Sequence, residues 1–302
     1  TTAQGRSHAI VQLAGRMGSY LSRETLHIGV VGLGIIGGSM AKALKKYTAH
    51  TVYGYDINAD TMHLALKNRA IDQDMTETDL ANCDLVLLGL YPRQAVDFVK
   101  EHIRFFQPGC IIMDLCGVKQ FLTKQLSGLC AEHQIYYLGG HPMAGKERWG
   151  FSSADADLFL SASMIMTPDA RFPKELLDKL SGLFRRIGFG SMTVTTPEAH
   201  DRIIAFTSQL AHVVSSAYIK SPTAQKHEGF SPGRYKDLTR VAKLNPQMWT
   251  ELFLENQNCL VEEIDTIIEH LQEYRDIIAA QDEQRLYQLL DEGRVIKEAL
   301  DQ

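Results

Sequence analysis

Cysteine is scarce in this chain, and the five present (Cys83, Cys110, Cys116, Cys130 and Cys259) include no C-x-x-C pair. An odd count at irregular spacing argues against a disulfide framework and against a structural metal site. Reduced thiols in a core-rich chain point to the cytoplasm. Long hydrophobic runs are also missing: nothing approaches the roughly eighteen apolar residues needed to span a bilayer, and the N-terminus has no secretory apolar segment. A strong excess of either charge is lacking as well. The net charge of −5 argues against nucleic acid or a membrane surface as the main partner. What the chain does have is length and apolar content. At 302 residues and 45% hydrophobic, it can bury two sizeable cores. Residues 1–25 carry no strong signal and are read as a leader segment.

The first half alternates β-type runs with helical patterns. "LHIGVV" (26–31), "TVYGYD" (51–56), "CDLVLLGL" (83–90), "CIIMDL" (110–115) and "IYYLGG" (135–140) read as strands, with helix-favouring intervals between them. This order implies βαβ units and a parallel sheet covered on both faces. Two further strands, in "ASMIMTP" and "FGSMTVTTP", flank a helical stretch at 173–187. The boundary falls near 196. From Pro197 onward no strand is evident, and "PEAHDRIIAFTSQLAHVVSSAYI" reads as a helix apolar around most of its cylinder, hence buried. Leu260, Ile264, Ile267 and Leu271 follow a four-three-four spacing, which suits either an internal bundle or a helical dimer core. The expected domains are 26–196, α/β, and 197–302, all-α.

"GVVGLGIIGGSMAKAL" places Gly32, Gly34 and Gly37 as G-x-G-x-x-G, directly after a strand and opening a helix. Such a turn, Gly32-Leu33-Gly34-Ile35-Ile36-Gly37, lets backbone approach a pyrophosphate that the helix N-terminus attracts. Asp56 ends the second strand, nineteen positions beyond Gly37, where a carboxylate would hold an adenosine ribose. No arginine follows it to pair with a 2′-phosphate. A Rossmann-type dinucleotide-binding domain taking NAD is therefore expected.

Within "YYLGGHPMAGKERWG" (136–150), His141 sits just past a strand end, in what reads as a loop on the cofactor side of the sheet. Structural and catalytic readings of that histidine are about equal on position alone. In the long helix, Asp201, Ser208, His212 and Ser215 fall near one stripe, either a satisfied buried network or a pocket wall.

"GLGIIGGSMAKALK", "HPMAGKE", "SADADLF", "TPEAHDRIIAFTSQLAH" and "KDLTRVAKLNPQMW" occur in order, and together they resemble the prephenate dehydrogenases of the TyrA family. The resemblance runs from about residue 26 to beyond 260. It implies NAD-dependent oxidative decarboxylation of prephenate to 4-hydroxyphenylpyruvate in tyrosine biosynthesis, with arogenate as the alternative substrate. By the same resemblance His141 is the base on the ring C4 hydroxyl, a task suited to a neutral imidazole. The family's S-x-L-P-H corresponds to Ser208 through His212, with Ala211 in place of proline. It implies Ser208 near the nicotinamide and His212 donating to the substrate side chain. Arg240 matches an arginine that binds a substrate carboxylate, a role its planar fork of donors suits. Gly233, Asp237 and Trp249 match positions near the pocket; Glu147, after "HPMAGK", reads either as a group that gates or polarises the site or as an exposed loop charge. A homodimer formed through the helical domain is expected.

The sequence departs from the family at "DLCGVKQ", where relatives read D-x-G-S-V-K with a serine that bonds the catalytic histidine. Gly117 stands at the serine position, so His141 must be oriented by backbone, water or another residue; Asp114 and Lys119 still match. Two other readings compete: a different two-domain hydroxy-acid dehydrogenase, and a non-catalytic NAD-sensing regulator. No appended regulatory domain is expected after "DEQRLYQLLDEGRVIKEAL", and tyrosine would then be expected to inhibit at the active site.

Overall fold

The computed structural model describes residues 25–146, 148–226 and 233–301. The leader segment, apart from its last residue, and Glu147 lie outside the described residues.

Eight strands form one sheet in the order β3-β2-β1-β4-β5-β6-β7-β8. They are β1 (His27–Val31), β2 (Thr51–Tyr55), β3 (Gln73–Asp74), β4 (Leu85–Leu88), β5 (Ile111–Asp114), β6 (Tyr136–Pro142), β7 (Ser163–Pro168) and β8 (Ser191–Val194). The helices among them are α1 (Ile35–Tyr47), α2 (Ala59–Lys67), α3 (Glu77–Leu80), α4 (Pro92–His102), α5 (Gln120–Glu132) and α6 (Lys174–Arg186). Strand residues alternate between two cores. Ile28, Val30, Leu85, Leu87, Ile111, Met113 and Leu138 pack on one face. Val31, Val86, Leu88, Ile112 and Tyr137 pack on the other, together with four cysteines. Burial there pushes the Cys83 and Cys130 thiols up to about 12, so they stay protonated and behave as small apolar side chains.

The sheet departs from the all-parallel expectation at one place. β6 runs antiparallel to β7, with His141 opposite Ile165, while β7 and β8 are parallel. β6 is also longer than expected, and its pairing with β5 stops at Asp114 opposite Gly139. His141 is therefore a strand residue and not a loop residue. It projects past the end of β5 and is held from the other side by β7.

From Pro197 onward the described chain is helical: α7 (Pro197–Ile204), α8 (Ala211–Ile219), α9 (Gly233–Thr239), α10 (Pro246–Glu255), α11 (Gln257–Ala280) and α12 (Glu283–Leu300). Thr196 caps α7, accepting from the Ala199 amide, and Pro197 takes the first helical position where no donor is needed. The single helix expected over 198–219 is continuous but carries a π turn at Ala205–Leu210. It is not buried all round either. Ile203 and Phe206 are 59% and 60% exposed, leaving one apolar face of the chain uncovered. Leu260 is buried, yet Leu271 is 60% exposed, so the expected seam is internal at one end only. Buried Asn256 joins these helices, donating to the Asp201 carbonyl and to Gln209 Oε1, both at 2.8 Å.

Candidate active site

Chain order along the sheet reverses between β1 and β4, and a crevice opens beyond the carboxyl ends there, as expected for doubly wound sheets. The turn after β1 shapes its floor. Gly32 adopts φ +80°, and a Cβ on Gly37 would lie 1.9 Å from the Gly32 carbonyl oxygen, so only glycine closes this turn. The N-cap of α1, Gly34, offers no side-chain acceptor, the first turn carries no acidic residue, and a Cβ at Gly34 would meet nothing within 4 Å. Uncapped amides facing open space at a helix N-terminus fit a pyrophosphate. Asp56 accepts from the Leu33 amide at 2.8 Å and the Asn58 amide at 2.9 Å, which ties the end of β2 to the turn.

A cavity of about 540 Å³ extends from this turn into the helical half. Gly34, Ile35 and Ile36 line one wall; the chain after β4 (Gly89–Pro92), the chain after β5 (Leu115–Gly117) and His141 line the next. Ser208, Gln209 and His212 close the far side together with Arg240, Lys243, Met248 and Trp249. Four cationic residues, Lys146, Arg148, Arg240 and Lys243, border the space, with no carboxylate among its described lining residues. The arrangement suits a dianion held next to a dinucleotide.

His141 keeps one edge open to this cavity. Its Nδ1 lies 2.9 Å from His200 Nε2, and His200 Nδ1 lies 2.7 Å from Asp201 Oδ1. Dense packing, His200 and the Lys119 ammonium hold the His141 pKa well below 6.5, in that order of weight. The imidazole is thus neutral at physiological pH, as a proton acceptor must be. Lys119 is fully buried; its Nζ bonds Asp114 Oδ1 and donates to the Gly140 carbonyl at 2.6 Å, fixing the backbone one residue before the base.

His212 stacks on Trp249 with ring centroids 3.7 Å apart, and its Nδ1–H donates to the Ser208 carbonyl at 2.8 Å. Burial lowers its pKa against the opposing pull of that carbonyl. With Nδ1 so committed, the neutral ring presents Nε2 as an acceptor.

Two family profiles cover most of the chain. The prephenate dehydrogenase nucleotide-binding domain matches residues 40–192, and the prephenate dehydrogenase dimerization domain matches residues 196–292. The chain belongs to the prephenate dehydrogenase family. It is an oxidoreductase similar to the cyclohexadienyl dehydrogenase of Zymomonas mobilis, at 32% identity over 91% of this chain and 96% of that one. A solved structure of prephenate dehydrogenase from A. aeolicus, in complex with hydroxyphenyl propionate and NAD+, superposes with a TM-score of 0.81 at 26% identity, covering 92% of this chain and 99% of that one. Synechocystis arogenate dehydrogenase gives a TM-score of 0.77 at 26% identity, covering 90% and 99%. NAD is the cofactor these relationships support.

In this family member the fold brings Gly34, Ile35, Ile36, His141, Ser208, His212, Arg240 and Trp249 to one cavity. Gly32, Leu33, Gly37 and Asp56 lie outside its lining and shape or brace the turn. Gly233 begins α9 and is not part of the lining. The expected stripe divides: Ser208 and His212 face the cavity, whereas Asp201 is fully buried and caps α5, accepting from the Lys119 and Gln120 amides. The π turn between Asp201 and Ser208 breaks the 3.6-residue register on which the stripe was projected. Sequence reasoning assigned no role to His200, although it adjoins Asp201 in the quoted "TPEAHD". It also passed over the cations Lys146, Arg148 and Lys243.

Proposed function

We propose that the protein oxidises prephenate with NAD in tyrosine biosynthesis, with His141 as the base. The observation that carries this reading is the imidazole of His141 lining the same cavity as the Gly34 turn. NAD, when bound, supplies the hydride acceptor. His141 takes the proton of the C4 hydroxyl, and Ser208, on the far side of the cavity, would face the nicotinamide. Arg240 clamps a substrate carboxylate, and Trp249, through its stack on His212, keeps that ring facing the side chain. Gly233, at the start of α9, is assigned to the rim of the same site. Loss of carbon dioxide from the quaternary ring carbon restores aromaticity and makes the reaction one-way. Gly32, Leu33, Gly34, Ile35, Ile36 and Gly37 would cradle the pyrophosphate, and Asp56 would hold the ribose.

Four cations among the described lining residues favour dianionic prephenate, because arogenate adds an ammonium. One observation favours arogenate as a second substrate: the acceptor nitrogen of neutral His212 suits an amino group. Initial rates with each substrate at fixed NAD separate the two; a strong preference for arogenate would overturn the choice of prephenate.

We divide the chain functionally into 26–196, nucleotide-binding, and 197–302, completing the substrate site and forming a homodimer. The uncovered apolar residues Ile203, Phe206 and Leu271 support the dimer, since exposed apolar surface of this kind marks an interface. A cytoplasmic location is supported by the unpaired cysteines, four of the five buried. Among the described residues no helix is long and apolar enough to cross a membrane.

A further inference from the structure

Asp201 sits at the N-terminus of α5 with both oxygens engaged. Oδ1 accepts from the Lys119 amide at 2.8 Å and faces His200 Nδ1 at 2.7 Å; Oδ2 accepts from the Gln120 amide at 2.9 Å. Backbone amides only donate, and the helix N-terminus favours negative charge, so Asp201 is an ionised acceptor. His200 Nδ1 must then carry its proton. In the neutral ring this leaves Nε2 as the acceptor, and among the described residues it meets His141 Nδ1 at 2.9 Å. His141 Nδ1 must therefore donate. The lone pair of His141 is left on Nε2, 3.9 Å from where a Cβ on Gly117 would stand, on the wall that Gly117 shares with the cavity.

We propose that His200 and Asp201 are positioning residues that fix the tautomer and orientation of His141, performing here the task for which Gly117 provides no hydroxyl. The proposal rests on His141 being the base. Its chain of acceptors follows the logic of the Ser-His-Asp triad, extended by one imidazole. The proton balance is closed. The substrate hydroxyl proton passes to His141 Nε2 as C4 becomes a carbonyl, its hydride going to the NAD that the family's reaction would supply. When the bond between the ring and its carboxylate breaks, the electron pair moves into the ring, and the same proton returns to the oxygen as the phenol O–H. The imidazolium is transient, and Asp201 supports it through His200.

The charged groups around this pair act in both directions. Burial and the Lys119 ammonium lower the pKa of both histidines, and Asp201 and Asp114 pull that of His200 upward. Both rings are neutral at rest. Removing Asp201's influence would leave Lys119 opposing the charged intermediate.

The test uses the full chain with two substitutions at one position. His200→Leu fills the space without an acceptor, while His200→Gln keeps an acceptor oxygen near the Nε2 position. His200→Leu is expected to lower kcat about 10²-fold, with the KM for prephenate and the Kd for NAD within about threefold of wild type. His200→Gln should recover at least tenfold of that loss. A kcat for His200→Leu within about threefold of wild type, or equal values for the Leu and Gln variants, would overturn the proposal. Should His200→Leu fail to fold, the imidazole 15N spectrum of the wild-type protein decides, with His141→Asn to assign the signal. Protonated Nδ1 and bare Nε2 at His141 are required, and the opposite tautomer overturns the proposal. If His141→Asn itself turns over normally, the base assignment has failed; if only the His200 variants do, the base stands and the relay falls.

Discussion

Neutral histidines held inside a folded core make the protein sensitive to mild acid. His141 and His200 both have pKa values lowered by burial, that of His141 well below 6.5. In the unfolded chain each returns to about 6.5. Below that pH the unfolded state binds more protons than the folded one, so acid favours unfolding and the stability is recovered as pH rises above about 6.5. A histidine that stays neutral in the fold contributes up to about 1.4 kcal/mol per pH unit in this window, so the pair contributes up to about 2.8. Against a total stability of about 5–15 kcal/mol this is a large share. Urea unfolding followed by circular dichroism at about pH 7.5 and about pH 5.5 measures it. His141→Asn, which removes one titrating group, should reduce the pH slope by up to about 1.4 kcal/mol per unit. A stability unchanged across this range, or a slope untouched by His141→Asn, would refute the reasoning that the imidazole is buried in its neutral form.

Gly37→Ala should abolish NAD binding measured by calorimetry while leaving the helical half folded, because the new Cβ would lie 1.9 Å from the Gly32 carbonyl oxygen; retention of wild-type affinity would contradict the assigned turn. Arg240→Lys should raise the KM for prephenate about 10- to 100-fold with little change in NAD affinity, since a point charge replaces a bidentate fork. In the wild type, kcat/KM should fall only as pH drops below the ordinary histidine range, following the lowered pKa of His141.

The parallel sheet and the turn at Gly32–Gly37 were legible because their signals are local: β-branched runs, and glycines at fixed spacing between a strand and a helix. The reversal of β7 was not legible, since strand direction depends on long-range pairing that a six-residue apolar run does not encode. His141 was placed one step out of its strand for the same reason: its last hydrogen-bonding neighbour is β7 and not the parallel β5. The π turn at 205–210 defeated the helical-wheel projection, which assumes one period throughout, so Asp201 was grouped with Ser208 although its carboxylate serves α5. His200 went unassigned because its partner, His141, is fifty-nine positions away in sequence. The exposed face of 197–219 was read as buried because periodicity reports apolar surface without saying whether the same chain or a second copy covers it.

Turnover by His141→Asn, measured beside NAD affinity, tests the central claim most directly. Asparagine preserves a polar side chain of similar reach but cannot accept the hydroxyl proton. The account predicts a fall in kcat of about 10²- to 10⁴-fold with NAD binding unchanged. A variant that keeps wild-type turnover would contradict His141 as the base.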